Sequence, residues 1–312
     1  MRRLTVALLS GGTSSERKVS LKGGDQVYAA IDKKKYKIIR YDPKTDLARL
    51  VNDAPQIDTA LIILHGSPGE DGTIQGLLDL LNIPYQGSGV IGSAIAINKL
   101  VSKQLYEKNG LPVPPYIVIK DGDPINPDAC INRIGVPLVV KPVMGGSSIG
   151  TSIVTSKDSF KNAVNSAFGH DDSVLIETYI KGIELTVSVL GNNKLEALPI
   201  VEIYPDKKYD FFDFDAKYTA GATKEVCPAR IDNATTDKVK TYAKMAHCAL
   251  ACKGYSRTDM ILRNKEIFIL ETNTIPGMAT TSLLPLAAKA AGISFSRLID
   301  MLIDLSIEEH RK

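Results

Sequence analysis

The first third of this chain alternates short apolar runs with stretches of helical period, and that alternation restricts the fold more than any single motif does. Leu4–Leu9, Lys37–Tyr41 and Ala60–Leu64 are mostly apolar and of strand length, while Val19–Ile31 and Ile74–Leu81 repeat at the helical period. Such a βαβ rhythm calls for a mostly parallel sheet covered on both faces. Met1-Arg2-Arg3 ahead of Leu4–Leu9 imitates a secretion signal. The run is short, however, and ends in Ser10-Gly11-Gly12 without a small-residue cleavage site, so a buried first strand is expected.

The rhythm stops at Leu111-Pro112-Val113-Pro114-Pro115, where clustered prolines exclude both helix and ladder. Beyond this linker come a strand over Pro137–Lys141, a glycine-rich loop over Gly145–Gly150 and a strand over Thr151–Val154. A helix over Lys157–Ala167 and a strand over Val174–Tyr179 follow. From Glu184 the texture changes to antiparallel strands over Leu185–Leu190 and Leu195–Ile203. A polar, aromatic loop then covers Asp206–Glu225, followed by a helix over Asp237–Cys252, a hairpin over Arg257–Glu271 and two terminal helical segments. The fold class is thus α/β and α+β. The length of 312 residues suits two domains or one multi-lobed one.

Composition removes several function classes. Lys+Arg 38 against Asp+Glu 35 leaves +3, too balanced to argue for nucleic acid or a membrane surface. No apolar run approaches the roughly 18 residues of a membrane span. Cys130, Cys227, Cys248 and Cys252 form no disulfide framework or CxxC pair, which suits a reducing cytoplasm. His247, Cys248 and Cys252 lie on an apolar helical pattern, where buried packing outweighs a metal cluster.

Two glycine motifs invite a nucleotide. Gly87-Ser88-Gly89-Val90-Ile91-Gly92 has the dinucleotide spacing. The acidic residue about 20 positions on is Glu107, still within the helical pattern Ala94–Tyr106, so a turn packing a lobe edge is the better reading. The second motif is Lys141-Pro142-Val143-Met144-Gly145-Gly146-Ser147-Ser148-Ile149-Gly150, which joins two strands. It is either a plain hairpin turn or a flap whose N–H groups and hydroxyls close over phosphates, with Lys141 as counter-charge.

Asp259, Glu271 and Asn273 form the strongest local constellation. Glu271 and Asn273 are two apart on a strand and share a face. With a three-residue hairpin loop at Asn264–Glu266, Asp259 lies opposite Glu271. Two carboxylates and an amide oxygen in an otherwise apolar strand pair suit Mg²⁺ better than a solvated face, and Arg257 on the same strand would sit beside phosphates. Further on, Thr281 or Ser282 is placed to cap a helix whose N-terminus, with Leu283, suits a carboxylate. Glu16, His65 and Glu70 follow strands of the first lobe, at the end of a sheet where ligands bind.

In this order the motifs resemble the D-alanine–D-alanine ligase family of the ATP-grasp superfamily. The most specific segments are His65-Gly66 with Gly69-Glu70-Asp71-Gly72, Gly146-Ser147-Ser148-Ile149-Gly150 and Asn273-Thr274-Ile275-Pro276-Gly277-Met278. The resemblance implies three subdomains: an N-terminal parallel α/β lobe over 1–95, a small central lobe over 96–183 and a C-terminal antiparallel lobe over 184–312. It implies ATP held by Lys99, Lys141, Glu177, Tyr179, Ile180, Glu184 and Lys217. Two Mg²⁺ ions, with Mn²⁺ as an alternative, would sit at Asp259, Glu271 and Asn273. Glu16 would take the ammonium of the first of two D-alanines, with His65 in the same substrate site. Lys217, Ser282 and Leu283 would engage the carboxylate of the second. Arg257 and the N–H of Gly277 would face the developing oxyanion, and Ser147, Glu16 and Tyr218 would close the loop as a triad. Tyr218 argues for amide rather than ester formation, and the Asp206–Glu225 loop reads as a lid.

Also implied are a homodimer, no nucleic-acid or membrane partner, and a place in cytoplasmic peptidoglycan precursor synthesis. The family pattern is departed from at Val143-Met144-Gly145, which lacks charged residues before Gly-Ser-Ser, and at Ala279, where Thr is common. A D-serine or D-lactate user of the same family is an alternative; the rival readings from outside it are an ATP-grasp ligase joining a different carboxylate and amine, and a non-catalytic nucleotide-binding module. Of these two rivals, the first should lose Glu16, Tyr218 and Ser282, and the second metal ligands or Arg257; all are present.

Overall fold

The computed structural model describes residues 2–205 and 223–310. In the first lobe, β1 (Leu4–Leu9), α1 (Arg17–Ala30), β2 (Tyr36–Tyr41), α2 (Leu47–Asp53), β3 (Thr59–Ile62), α3 (Thr73–Leu80) and α4 (Val90–Ile97) alternate as the apolar runs require. The sheet is parallel in the order β2-β1-β3, and β1, the expected buried first strand, is almost wholly buried. The helical pattern expected through Tyr106 is broken at Asn98. Its extended backbone ends α4, and its side-chain oxygen accepts from Val101 N at 3.0 Å to cap a new helix.

That helix, α5 (Lys99–Lys108), opens the central lobe. It is followed by β4 (Tyr116–Lys120), α6 (Pro127–Ile134), β5 (Leu138–Pro142), β6 (Ser152–Val154), α7 (Lys157–Phe168) and β7 (Ser173–Thr178). The sheet runs β4-β7-β5-β6 with every pairing antiparallel, and its apolar face, with Leu138, Val140, Val174 and Ile176, packs on Phe160 and Val164 of α7.

The rest comprises β8 (Ile183–Leu190), β9 (Glu196–Ala197), β10 (Val201–Pro205), β11 (Thr223–Val226), α8 (Asn233–Ala249), β12 (Tyr255–Arg263), β13 (Glu266–Asn273), α9 (Leu283–Ala290) and α10 (Phe295–His310). The strands make an antiparallel sheet in the order β11-β10-β8-β12-β13, with β9 beside β8. The single strand expected over Leu195–Ile203 is two, because Pro199 between them has no N–H to give a ladder. The loop expected over Asp206–Glu225 lies mostly outside the described residues, and its end belongs to β11, paired with β10. His247 is packed in the interior: its Nδ1 lies 2.7 Å from Ser256 Oγ, and burial pulls its pKa down to about 4.

The last helix returns to the first lobe. Leu298, Ile299, Leu302 and Ile303 of α10 share one buried cluster with Val6, Leu8, Leu61 and Ile63 of the parallel sheet. Lys35 pairs with Asp300 at 2.6 Å, and the Thr59 and Ser306 hydroxyls meet at 2.7 Å. Among the described residues, no helix is long and apolar enough to cross a membrane.

Candidate active site

The parallel sheet supplies one wall through α1, which must lie very close to β1. A Cβ at Gly24 would stand 2.6 Å from the Ser10 side chain, so only glycine allows that approach. Arg17 forks onto Asp42 at 2.6 and 3.0 Å, and Asp42 accepts from Gly12 N at 2.9 Å, which clamps the Gly11–Gly12 loop. The clamp fixes Glu16, buried where α1 begins. The Ser14 hydroxyl donates to the carbonyl oxygen of His65 at 2.6 Å, tying the second loop to the first. In that loop Glu70 accepts from Gly66 N at 2.6 Å. Burial, with Glu16 adding to it, pushes the Glu70 carboxyl up to about 8, so Glu70 is largely protonated at neutral pH. Burial pulls the His65 imidazole down, against the opposite pull of Glu16. Both groups beside Glu16 therefore tend to neutrality.

A second wall is the loop between β5 and β6. Its backbone is left-handed at Gly145, Ser147, Ser148 and Gly150, with φ of 103°, 54°, 57° and 71°. A plain hairpin turn needs no such run, and the loop reaches across to the first lobe, where the Ser147 hydroxyl donates to Glu16. Lys99 donates to Gly145 O at 2.6 Å from beneath. Lys141 at the end of β5 pairs with Glu177 of β7, and Lys103 of α5 pairs with the other Glu177 oxygen at 2.7 Å. The two ammonium groups hold Glu177 well below the usual carboxylate range despite its burial.

The third wall is the β12–β13 hairpin. Its loop is the two residues Asn264 and Lys265, both at positive φ, with Arg263 paired to Glu266, rather than the three expected. A two-residue loop alone would set Asp259 opposite Leu270. A bulge at Leu270 restores the expected pairing, Asp259 opposite Glu271 and Arg257 opposite Asn273. The expected opposition is found, for a reason that spacing did not contain. Thr186 of β8 donates to Asp259 at 2.5 Å, and Arg257 forks onto the same carboxylate at 2.7 and 2.9 Å. Asn273 Oδ1 accepts from Ile275 N at 3.1 Å, which orients the amide and leaves the oxygen a second lone pair.

Two adjoining cavities result. The larger, about 400 Å³, has Glu16, His65, Glu70, Ser147, Arg257, Asn273, Gly277, Ser282 and Leu283 on its walls. The smaller, about 130 Å³, is walled by Lys141, Glu177, Tyr179, Ile180, Glu184 and Asp259, with Val139, Ile203, Met260 and Leu270 as apolar surfaces. Lys99 and Glu271 belong to both and form the junction. Ser282 stands at the N-cap of α9 without a side-chain cap bond and lies on the wall of the larger cavity. Lys217 and Tyr218 lie outside the described residues. The Gly87–Gly92 motif reaches neither cavity; Gly87 packs on Tyr255. Sequence reasoning missed Lys22, Glu225 and the whole of Lys103. The i, i+4 spacing of Lys99 and Lys103 on one helix was the available signal.

The donor set suits a magnesium ion. Two carboxylates and an amide oxygen share one face, and a cation, Arg257, already sits on Asp259. Among the described residues no group of three or more His, Cys, Asp or Glu is assembled.

Two antiparallel sheets closing on a lysine-lined cavity, beside a parallel lobe that walls a second cavity, define an ATP-grasp protein. The comparisons agree on which kind. Family models described as the D-ala D-ala ligase C-terminus and N-terminus match residues 105–304 and 42–88. The D-alanine–D-alanine ligase of Syntrophobacter fumaroxidans is 59% identical over 98% of this chain and 99% of its own. A crystal structure of the Bacillus anthracis D-alanine–D-alanine ligase complexed with ATP superposes with a TM-score of 0.87 at 35% identity, covering 99% of each chain. A D-Ala:D-Ser ligase from Enterococcus faecalis superposes at 0.82 and 31% identity, covering 98% of this chain and 100% of its own. The chain belongs to the D-alanine–D-alanine ligase family.

Proposed function

We propose that this protein joins two D-alanines into D-alanyl-D-alanine at the expense of ATP, through a D-alanyl phosphate, in peptidoglycan precursor synthesis. The observation that carries the reading is the pair of cavities meeting at Lys99 and Glu271. A nucleotide in the smaller one presents its terminal phosphate at the point where a carboxylate in the larger one can attack it.

Each wall then has a task. Apolar Val139, Ile180, Ile203, Met260 and Leu270 suit a purine, beside Glu177 and Tyr179, and Glu184 suits the ribose. Lys99 and Lys141 face the phosphates. Asp259, Glu271 and Asn273 would hold Mg²⁺, which when bound offsets the charge on the phosphate oxygens; two ions are expected there, or Mn²⁺ in their place. In the other cavity Glu16 receives the ammonium of the first D-alanine, with Glu70 and His65 neutral beside it. The first carboxylate attacks the γ-phosphorus, and ADP leaves. The amine of the second D-alanine, once deprotonated, attacks the acyl carbon, and the C–O bond to phosphate breaks. Arg257 and the N–H of Gly277 stabilise the tetrahedral oxyanion between these events; one such donor is worth about 10²–10³ in rate. Ser282 and Leu283, at the start of α9, receive the second carboxylate. Lys217 and Tyr218 are assigned on family resemblance to that carboxylate and to the Ser147–Glu16 contact, under a lid that excludes water.

The boundaries 1–95, 96–183 and 184–312 are the proposed subdomains. A cytoplasmic homodimer is the proposed working form, and exposed Leu80 and Ile91 on the adjoining helices α3 and α4 offer an apolar face for it. The test of function is to mix the protein with ATP, Mg²⁺ and D-alanine, following phosphate release and dipeptide mass. One dipeptide per phosphate, absent with L-alanine, is expected. Phosphate release only with another amino or hydroxy acid would overturn the substrate, and adding D-serine beside D-alanine tests the second site.

A further inference from the structure

Helix α5 turns two lysines the same way, one turn apart, yet only one of them reaches a cavity. Lys99 lines both cavities. Lys103 lines neither, is fully buried, and ends 2.7 Å from Glu177 Oε2, while Lys141 holds Oε1 from the cavity side. The Tyr116 ring lies 5.6 Å from the Lys103 ammonium. Burying an ammonium costs several kcal/mol unless it is paired, and Glu177 already had a partner in Lys141. Lys141 and Glu177 alone would make a neutral pair, with the carboxylate cancelling much of the field that Lys141 presents to the cavity. A second cation behind the carboxylate changes that sum. With both lysines protonated the cluster Lys103–Glu177–Lys141 has one net positive charge, and its only member besides Glu177 that borders the cavity is Lys141.

We propose that Lys103 is a positioning residue for the nucleotide phosphates: it anchors the far oxygen of Glu177 and offsets its charge, so that Lys141 faces the cavity as an uncancelled cation. The proposal rests on ATP being the nucleotide, and wild-type ATP binding, measured first, tests that separately. Lys103 itself touches neither substrate nor phosphate. Its effect passes through Glu177 to Lys141, and should therefore be larger at the phosphates that Lys141 faces than at the base beside Glu177.

The test compares Kd for ATP and for adenosine, and KM for ATP and for D-alanine, in Lys103→Met, Lys103→Arg and the double variant Lys103→Met/Glu177→Gln. Lys103→Met should weaken ATP about tenfold, the worth of one charge-assisted contact, with adenosine and the D-alanine KM within about twofold. Lys103→Arg should stay close to wild type. The double variant should regain ATP affinity, because removing the carboxylate uncovers Lys141 again; a purely structural role predicts further loss. Should Lys103→Met fail to fold, Lys103→Gln keeps a polar group beside Glu177 without the charge and carries the same expectation. Equal weakening of ATP and adenosine, an unchanged ATP constant beside a lowered Tm, or no recovery in the double variant would each overturn the proposal.

Discussion

Glu271 is the side chain on which both cavities depend, since it and Lys99 are the residues they share. Glu271→Gln keeps the shape and one acceptor but removes the charge that a metal needs. Turnover at saturating Mg²⁺ and ATP should fall by about 10²–10³-fold while the melting temperature stays within a few degrees. Near-normal turnover would remove Glu271 from the metal site. Asp42 acts at the same scale on the opposite wall. Arg17 beside it holds its carboxyl down at about 2, below its ordinary 3.8. A depressed carboxylate contributes stability above the ordinary value and loses it as pH falls through the native one. The Tm advantage of the wild type over Asp42→Asn should therefore shrink between about pH 4 and pH 2. A constant gap would show that the Arg17 pair contributes nothing through charge.

At the scale of elements, the β12–β13 hairpin shows how a correct expectation can rest on a wrong step. Parity along β13 was legible: Glu271 and Asn273 had to share a face, and one partner strand had to bring Asp259 near. The loop length was not, because Asn264-Lys265 with both residues left-handed closes in two residues where three were expected. The bulge at Leu270 makes up the difference. It also turns Leu270 toward the smaller cavity beside Glu271, so an apolar surface and a carboxylate sit next to each other on one strand. Leu270→Ala should thus raise the KM for ATP by about threefold to thirtyfold, the loss of a partly buried leucine side chain, and leave the KM for D-alanine unchanged. A change in both constants would mean that the bulge shapes the whole hairpin rather than the base site. The same scale explains Asn98. Its capping preference splits one helical pattern into α4 and α5, and that break aims Lys99 and Lys103 at the β5–β6 loop and at β7.

For the whole molecule, the return of α10 to the parallel sheet decides how the two lobes hold each other. Leu298 and Leu302 are fully buried among Val6, Leu8, Leu61 and Ile63. Leu302→Ala should cost about 2–5 kcal/mol in chemical denaturation. The first lobe should lose its protection together with α10 in hydrogen exchange, because one core serves both. A fragment of residues 1–95 alone would leave that apolar face uncovered and should aggregate, whereas independent folding of that fragment would contradict a shared core.

The sequence by itself determined the alternating strands and helices of the first lobe, the antiparallel texture beyond Glu184, and the shared face of Glu271 and Asn273 on β13. These follow from local rules: period, side-chain parity, glycine and proline. Tertiary structure decided what no local rule contains. Lys103 meets Glu177 across 74 positions of chain, the loop at Ser147 meets Glu16 across 131, and α10 closes on β1 and β3 from the far end of the molecule. A buried ion pair forms only where packing has expelled the water that would otherwise solvate each charge separately, and which side chains share such a place is a property of the packed molecule.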